Sequence, residues 1–303
     1  MKKLTIVIAT YNRAPYLLRT LKSLTNQTLD PERFEILVVN NNSTDDTKEV
    51  FARFATLYPT LSLRMVDEMQ QGISYVRNRG IAEAAGEYIV FLDDDEEANP
   101  EFAEKYFYFF ENNKEKNAAG GAVIPVYEAP VPKWFSHYIE KMITGVFDMG
   151  ARVVPFRGKS YPGVGNSGFR KTLFERYGTF DPALGRSGTN PLGGEEKDFF
   201  MRLRAAGEWY YFVPGAQIYH ITPAYKLTED YFNRLSRMIG VSERIRTRTQ
   251  GLSAYAKRLF AEAIKWGGTL VLAFGFLLRM QPIKGKYLIR MRGNITCGLL
   301  TGK

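Results

Sequence analysis

The stretch Gly86-Glu87-Tyr88-Ile89-Val90-Phe91-Leu92-Asp93-Asp94-Asp95-Glu96-Glu97 places five acidic residues directly after an apolar run. The run from Tyr88 to Leu92 is rich in β-branched and aromatic residues, which is typical of a strand buried on both faces of a mainly parallel sheet. Carboxylates crowded at a strand end repel one another unless a cation neutralises them. In open α/β sheets this carboxyl end is also where ligands bind. A solvated acidic loop is the alternative interpretation of the same residues.

Strands alternate with helices along the first 126 residues. The pattern predicts strands over 3–10, 34–39, 61–66, 88–92 and 118–126, and helices over 14–24, 44–58, 72–85 and 100–112. Ser43 or Thr44 is the expected cap of the second helix, and Gly86 is the expected C-terminal glycine of the third. Alternation of this kind indicates βαβ units and a parallel sheet. The pattern is less regular over 127–225, and residues 228–300 are predicted to be mostly helical.

Two other α/β classes are excluded by the turn after the first strand. A dinucleotide-binding oxidoreductase needs a glycine-rich turn there, whereas this chain has Thr10-Tyr11-Asn12-Arg13. A phosphate-binding P-loop motif is also missing from the sequence.

The composition describes an ordered globular protein of 303 residues in which 45% of residues are hydrophobic. The single cysteine, Cys297, excludes an internal disulfide and fits a reducing compartment. With only two histidines, a zinc site built from Cys and His is not expected. Because the first predicted strand begins near residue 3, we expect no signal peptide.

The positive charge is concentrated near the C-terminus. Residues 226–303 hold 15 basic and 4 acidic side chains, a net charge of +11, whereas the other residues carry −2. A basic segment of this kind indicates an anionic partner, either nucleic acid or an anionic membrane surface. The longest apolar run, 266–278, has 13 residues, whereas a membrane-spanning helix needs about 20. Apolar positions flanked by Lys and Arg predict docking on a membrane rather than crossing.

Four separated motifs carry a family resemblance. They are Ala9-Thr10-Tyr11-Asn12, Gly72-Ile73-Ser74-Tyr75-Val76-Arg77-Asn78-Arg79-Gly80, Phe91-Leu92-Asp93-Asp94-Asp95 and Gly194-Glu195-Glu196-Lys197-Asp198. In this order they resemble the motifs of the inverting nucleotide-sugar glycosyltransferases of family two. The resemblance covers about residues 3–225 and implies the GT-A fold, a Rossmann-like, mostly parallel sheet flanked by helices. It divides the chain into a nucleotide-sugar-binding half (1–126), a mixed acceptor half (127–225) and a basic, helical C-terminal extension (226–303).

The resemblance assigns roles to residues of the donor side. Asp93 faces the ribose, Asp95 binds Mg²⁺ or Mn²⁺, and Asp94 is expected to point away because alternate residues of an extended segment face opposite sides. Arg77 is expected either to meet the donor phosphates or to brace the aspartates. Asn40 stands where the family usually has a base-binding Asp, so recognition of uracil is less secure here. The expected nucleotide-sugar-binding residues are Ala9, Thr10, Tyr11, Asn12, Asn40, Arg77, Asn78, Asp93 and Asp94.

The acceptor side is predicted from three further positions. The general base is Glu196, where the family motif has Asp, with Glu195 as the alternative. His220, predicted to end a strand, follows Pro214 at the family's spacing and is a second candidate metal ligand. Asn166 and Ser167 are expected in the wall of the acceptor side.

We therefore expect a cytoplasmic enzyme, peripheral at the inner face of the cell membrane, that transfers a sugar from a UDP-sugar to a hydroxyl with inversion. By family analogy the acceptor is a glycan or lipid-linked sugar of cell-surface polysaccharide or lipopolysaccharide assembly. One alternative is a metal-dependent nucleotidyltransferase. A non-catalytic nucleic-acid binder is the other, but the body of the chain is not basic and no nucleic-acid motif is found.

Overall fold

The computed structural model describes residues 2–158, 160–186 and 194–303. Within them the strands are β1 (Leu4–Thr10), β2 (Phe34–Asn40), β3 (Leu63–Asp67), β4 (Tyr88–Asp93), β5 (Glu96–Ala98), β6 (Ala118–Gly120), β7 (Val123–Tyr127), β8 (Val154–Pro155), β9 (Asn166–Arg170), β10 (Tyr210–Phe212) and β11 (Ile218–Thr222). The α-helices are α1 (Ala14–Ser23), α2 (Thr47–Leu57), α3 (Ile73–Glu83), α4 (Phe102–Asn112), α5 (His137–Thr144), α6 (Lys171–Tyr177), α7 (Glu195–Ala205), α8 (Glu229–Thr249), α9 (Leu252–Leu278) and α10 (Pro282–Thr301).

Eight strands form one mixed sheet in the order β3-β2-β1-β4-β9-β6-β10-β8. The first four strands of that order are parallel, as the βαβ pattern predicts. Beyond β4 the pairing is mixed, because β9 is antiparallel to both β4 and β6 while β10 is parallel to β6. A second sheet of three strands has the order β5-β11-β7. The predicted α/β class and the mixed second half are confirmed.

The central strand β4 is buried on both faces, which confirms the interpretation of its apolar run. Tyr88, Val90 and Leu92 pack into one core with residues of α1, α2 and α4. Ile89 and Phe91 point to the other side and pack with residues of α3, α6 and α7. Successive side chains of a strand point to opposite faces. A strand covered by helices on both sides therefore has to be apolar at every position.

The contacts divide the chain into two compact units. The first consists of Met1–Ile124 and Phe147–Ile221, and the second of Pro125–Val146 and Thr222–Lys303. Residues 125–146, most of which the sequence analysis places in the acceptor half, thus belong to the same unit as the C-terminal helices. The physical reason is the apolar face of α5, which packs with α8 and α10 in a separate core. In that core Trp134 stacks on Tyr287 with ring centroids 5.0 Å apart.

Several predicted element boundaries are corrected. The helix α2 begins at Thr47, where Asp45 accepts hydrogen bonds from the Thr47 backbone and hydroxyl, so Ser43 and Thr44 do not cap it. The single strand expected over 118–126 is two strands, β6 and β7, which belong to different sheets. The apolar run 266–278 lies within α9, which has 27 residues.

The helix α9 has the length and composition of a membrane-crossing helix, with a mean hydropathy of 1.4 in its most apolar window. The prediction that the run 266–278 is too short to span a membrane counts only these 13 residues, whereas the helix α9 has 27. Just 11% of that window is buried, so most of its apolar surface faces outward.

Gly86 has a different role from the predicted one. The helix α3 ends at Glu83 with Ala84 as its cap, and Gly86 has no left-handed backbone. Its requirement is space, since a Cβ at this position would lie 2.8 Å from backbone atoms of Lys3, Leu4 and Thr5. Glycine therefore lets the chain enter β4 directly against β1.

We predict that Gly86→Ala lowers the free energy of unfolding by about 2–3 kcal/mol, because backbone atoms must move to admit the methyl group. Gly163→Ala is the matched control, since a Cβ there meets nothing within 4 Å. The melting temperatures of the two variants and the wild type test this. An equal melting temperature for Gly86→Ala and the wild type would contradict the steric explanation.

Candidate functional site

Polar residues from several strands meet at one edge of the large sheet. Parallel pairing places Thr10 of β1 beside Asn40 of β2, and Ala9 beside Asp93 of β4. The antiparallel strand β9 begins with Asn166 opposite Leu92, so its start reaches the same edge. Register alone therefore gathers most of the predicted donor residues, at the position where open α/β sheets bind ligands.

Six carboxylates gather at the end of β4 and the start of α7: those of Asp93, Asp94, Asp95, Glu96, Glu195 and Glu196. We call this set the acidic cluster. Asp94, Asp95, Glu96 and Glu195 are buried. Burial raises the pKa of Asp94 to about 7, and it raises the pKa of Glu96 well above its ordinary value. Concentrating so much negative charge away from water is costly unless cations compensate it.

Arg77 of α3 is the buried cation of the acidic cluster. It is 3% exposed, and its guanidinium lies 2.9 Å from Glu196, 3.2 Å from Glu195 and 3.5 Å from Asp93. Burial opposes the charged form, but the three carboxylates raise the pKa of Arg77 above its ordinary value. Arg77 is predicted either to meet the donor phosphates or to brace the aspartates. These contacts correspond to the second role, because the guanidinium binds acidic side chains of the protein.

Arg13 is a second cation of the acidic cluster, and the sequence analysis treats it only as part of a turn. Its Nη1 lies 2.8 Å from Asp95 Oδ2 and 3.1 Å from Asp94 Oδ1. Thr10 Oγ1 also donates to Asp94, at 2.8 Å. Asp94 therefore faces the β1 turn, away from Arg77. A basic residue in the turn of the strand adjacent to β4 is the signal that could have identified Arg13.

His220 lies beside Asp95, as its candidate role requires. It is in the middle of β11 rather than at a strand end, opposite Glu96 of β5. The backbone of Ile221 donates to the carbonyl of Asp95 at 2.9 Å, which keeps β11 against the β4 end. As a result, His220 Nε2 is 3.7 Å from Asp95 Oδ2.

The donor set at this point fits a divalent cation with few protein ligands. Within residues 2–158, 160–186 and 194–303, no group of three or more His, Cys, Asp or Glu side chains is arranged to hold a metal ion. Asp95 and His220 supply two neighbouring ligands, and Mg²⁺ or Mn²⁺ commonly takes the others from water and phosphate oxygens.

Asn40 does not present its amide to the open edge. The side chain is buried, donates to Asp67 Oδ1 at 2.7 Å and accepts from the backbone of Ser43 at 3.1 Å. Asp67, at the end of β3, is partly exposed and also pairs with Lys48. The family usually has an Asp carboxylate at the position of Asn40. In this chain the neighbouring strand β3 provides a carboxylate instead, that of Asp67.

Other predicted donor residues are held by backbone contacts. Asn12, with a φ of +52°, accepts from the backbone of Thr44 at 2.7 Å and so ties the β1 turn to the β2 loop. Both polar groups of Asn78 are engaged by the backbone of Phe180, at 2.8 and 3.0 Å. These contacts tie the amide to the loop at Phe180. Tyr11 is 48% exposed and lies open at the edge.

The two predicted acceptor-side residues are buried in strand β9. Asn166 accepts from the Tyr106 hydroxyl and donates to the carbonyls of Ala122 and Ala216, while Ser167 Oγ donates to the carbonyl of Gly163. Their polar groups are engaged by a helix and by loops beside the sheet, and both side chains are buried, so they do not face an acceptor. The neighbour that touches the site is Gly165, where a Cβ would meet Asp93 Oδ2 at 2.7 Å.

The two glutamates at the start of α7 differ in accessibility. The Glu195 side chain is 5% exposed, and its Oε2 is buried without a hydrogen-bond partner among the described residues. Burial and then the charge of Glu196 raise the pKa of Glu195. The Glu196 side chain is 30% exposed while keeping its contact with Arg77. Of the two, Glu196 is the carboxylate that an incoming molecule can reach.

Curated proteins similar to this chain are glycosyltransferases. Residues 5–178 match the family model of glycosyl transferase family 2. Glycosyltransferase AglE of Haloferax volcanii is 37% identical over 101 residues, which are 33% of each chain. The GalNAc(5)-diNAcBac-PP-undecaprenol beta-1,3-glucosyltransferase of Campylobacter jejuni is 36% identical over 97 residues, 32% of this chain and 31% of that protein. The chain thus matches about a third of the length of these two relatives.

Solved structures show the same fold at low sequence identity. The mannosyltransferase PcManGT of Pyrobaculum calidifontis, in complex with GDP-Man and Mn²⁺, has a TM-score of 0.60 at 16% identity and covers 99% of this chain and 88% of its own. S. aureus TarS 1-349 in complex with UDP-GlcNAc has a TM-score of 0.53 at 19% identity and covers 79% and 66%. These likenesses establish the GT-A fold, and because the family model covers more than half of the residues, the chain belongs to glycosyl transferase family 2.

Proposed function

We propose that this protein transfers a sugar from a nucleotide-sugar to a hydroxyl acceptor, with inversion and with the help of Mg²⁺ or Mn²⁺. The observation that carries the proposal is the acidic cluster at the sheet edge, where Arg77 joins Asp93, on the donor side, to the accessible Glu196, and where the candidate metal ligand Asp95 lies beside His220. Asp93 contacts Arg77 on one side, and Glu196 contacts it on the other. The acidic cluster thus contains a candidate group for donor activation, Asp95, and a candidate group for acceptor deprotonation, Glu196.

The donor diphosphate needs positive charge as it leaves. Asp95 and His220 would hold the metal ion, which supplies Lewis-acid stabilisation of the leaving diphosphate. Asp93, at the end of β4, is partly exposed and is directed by Arg77. We assign it to the ribose side, as the family resemblance implies. Tyr11, exposed at the β1 turn, is the aromatic side chain available beside the nucleotide.

Glu196 takes the proton of the acceptor hydroxyl in this proposal. Arg77 fixes the orientation of the carboxylate through a 2.9 Å ion pair, while the exposed part of the side chain remains open to the acceptor. The hydroxyl oxygen forms the new bond to the anomeric carbon as the bond to the diphosphate breaks on the opposite face. Attack from that face gives inversion.

A UDP-sugar is the favoured donor, with the acceptor a glycan or a lipid-linked sugar. One structural relative is in complex with UDP-GlcNAc, and one curated relative is named for an undecaprenol-linked substrate. Because Asn40 is occupied by Asp67 and Ser43, we assign base recognition on this edge to the partly exposed Asp67 carboxylate. The family match gives no support to a nucleotidyltransferase or to a nucleic-acid binder.

We predict that Asp95→Asn weakens Mn²⁺-dependent binding of UDP and abolishes turnover, because one metal ligand is lost. Loss of such a ligand should cost several kcal/mol of transition-state stabilisation. Glu97→Gln is the matched control, since Glu97 is paired with Arg19 on the surface. Calorimetric titration of UDP with and without Mn²⁺ measures the effect. Turnover of Asp95→Asn within about twofold of the wild type would refute the metal assignment.

Glu196→Gln should spare UDP binding and reduce kcat by a factor on the order of 10²–10⁴, the usual range for loss of a general base. Glu195→Gln should affect kcat less, because this side chain is buried. Steady-state kinetics of both variants with the same donor decide between them. The opposite ranking would move the base to Glu195.

We also propose that the second unit docks on the inner face of the cell membrane of a cytoplasmic enzyme. The outward face of α9 and its end carry large apolar side chains: Phe260, Ile264, Leu270, Val271, Phe274, Leu277, Leu278 and Met280 are all at least half exposed. Lysines and arginines of 226–303 give this part its net charge of +11. Exposed apolar side chains with basic neighbours suit an anionic bilayer surface.

The buried face of α9 favours docking on the membrane surface over crossing of the membrane. Glu262 is buried there and pairs with Arg258 at 2.7 Å and with Arg292 of α10 at 3.1 Å. If α9 crossed the bilayer, this ion-pair group and the helix α10 packed on it would have to enter the hydrocarbon with their charges, which is costly. An interfacial position keeps the charges in the headgroup region.

We predict that Val271→Glu combined with Phe274→Glu reduces partitioning onto anionic liposomes by about 100-fold or more, since each apolar side chain contributes about 1.5–3 kcal/mol when buried. Leu57→Glu is the control, because Leu57 is equally exposed on α2 of the first unit. High salt should release part of the bound wild type. Equal flotation of the variants, or no preference for anionic over neutral liposomes, would contradict docking.

A further inference from the structure

Arg13 occupies a position that the proposed metal ion also needs. Its Nη1 is 2.8 Å from Asp95 Oδ2, and His220 Nε2 is 3.7 Å from the same oxygen. An ion bound by Asp95 and His220 would share this carboxylate with the guanidinium. Two cations at one carboxylate repel each other at short range. Arg13 and a divalent metal therefore compete for Asp95.

The two arginines of the acidic cluster differ in their freedom to move. The Arg77 side chain is 3% exposed and contacts three carboxylates, so moving it would leave buried charges without partners. The Arg13 side chain is 37% exposed and extends from the turn between β1 and α1. A long side chain with an open path to water can leave at low cost, whereas a buried charge cannot.

Contacts other than those of Arg13 hold the Asp94 carboxylate and the backbone of both Asp94 and Asp95. Thr10 Oγ1 donates to Asp94 Oδ2, and Thr20 Oγ1 donates to the carbonyl of Asp94, both at 2.8 Å. The backbone of Ile221 donates to the carbonyl of Asp95 at 2.9 Å. The site is thus held by β1, α1 and β11 independently of the guanidinium.

We propose that Arg13 is a displaceable counter-cation: it neutralises Asp94 and Asp95 when no metal is bound, and metal binding displaces it. Once displaced, the guanidinium is free to pair with the diphosphate of the donor. That second step rests on the proposed function. Arg13 then binds the donor and couples metal binding to nucleotide binding, because the guanidinium that the metal ion releases from Asp94 and Asp95 pairs with the phosphates.

Titration with Mn²⁺ alone, followed by calorimetry or by the electron paramagnetic resonance of free Mn²⁺, tests the first step. Arg13→Gln should bind Mn²⁺ about tenfold more tightly than the wild type, a modest gain because water screens a half-exposed charge. Arg19→Gln is the matched control, since Arg19 lies on α1 and pairs with Glu97 at the surface. It should bind Mn²⁺ as the wild type does.

Arg13→Lys keeps the positive charge but lacks the guanidinium whose Nη1 contacts both aspartates, so its Mn²⁺ affinity should lie between those of Arg13→Gln and the wild type. If Arg13→Gln does not fold, as judged by thermal melting, this variant decides the question. Affinity for Mn²⁺ equal to or weaker than that of the wild type, in the folded variant used, overturns the proposal.

UDP separates the second step from the first. In the wild type, UDP should tighten Mn²⁺ binding severalfold, and in Arg13→Gln this gain should be smaller because the released charge is missing. An equal gain in both proteins overturns the coupling role. If neither protein binds UDP while Arg13→Gln still binds Mn²⁺ more tightly, the proposed function fails and the counter-cation role stands.

Discussion

The first unit depends on the compensation of the acidic cluster at the end of β4 and the start of α7, in which five of the six carboxylates contact one of two arginines. Arg77 joins three of them from the interior, and Arg13 joins two others from the turn after β1. Buried charges are tolerated only when partners are close, so the elements that carry these arginines have to lie where they do. The sheet order, with β1 beside β4 and α3 packed across both β1 and β2, brings each arginine within reach.

The two arginines of the acidic cluster differ in exposure. On the Arg77 side the guanidinium and Glu195 are buried, while Asp93 and Glu196 are partly exposed. On the Arg13 side the cation is partly exposed, Thr10 donates to the Asp94 carboxylate, and the backbone carbonyls of Asp94 and Asp95 accept from Thr20 and Ile221. In the transfer reaction that we propose, the buried side would orient the acceptor and the exposed side would exchange its counter-ion as the donor enters and leaves.

The second unit follows the same physical rule in a different setting. Its core of aromatic and aliphatic side chains joins α5, α8 and α10, and Glu262 is neutralised by arginines of α9 and α10. Once the inner face of α9 is used in this way, the apolar residues of its outer face have no partner within the unit. The helix α9 therefore has a buried side that carries Glu262 and an exposed side that carries large apolar residues.

The sequence by itself determined the central strand, the alternation of strands and helices, and the acidic positions, because local periodicity and charge crowding are properties of neighbouring residues. Through resemblance to the family motifs it also predicted site roles for Arg77, Asp95, Glu196 and His220. Tertiary structure decided which polar groups remain available. Asn40, Asn78 and Asn166 are engaged by groups 27 to 102 residues away in the chain, which no local pattern reveals. Arg13 belongs to the site only because β1 pairs with β4, and the apolar face of α9 is left outward because Glu262, paired with Arg258 and Arg292, occupies the buried side.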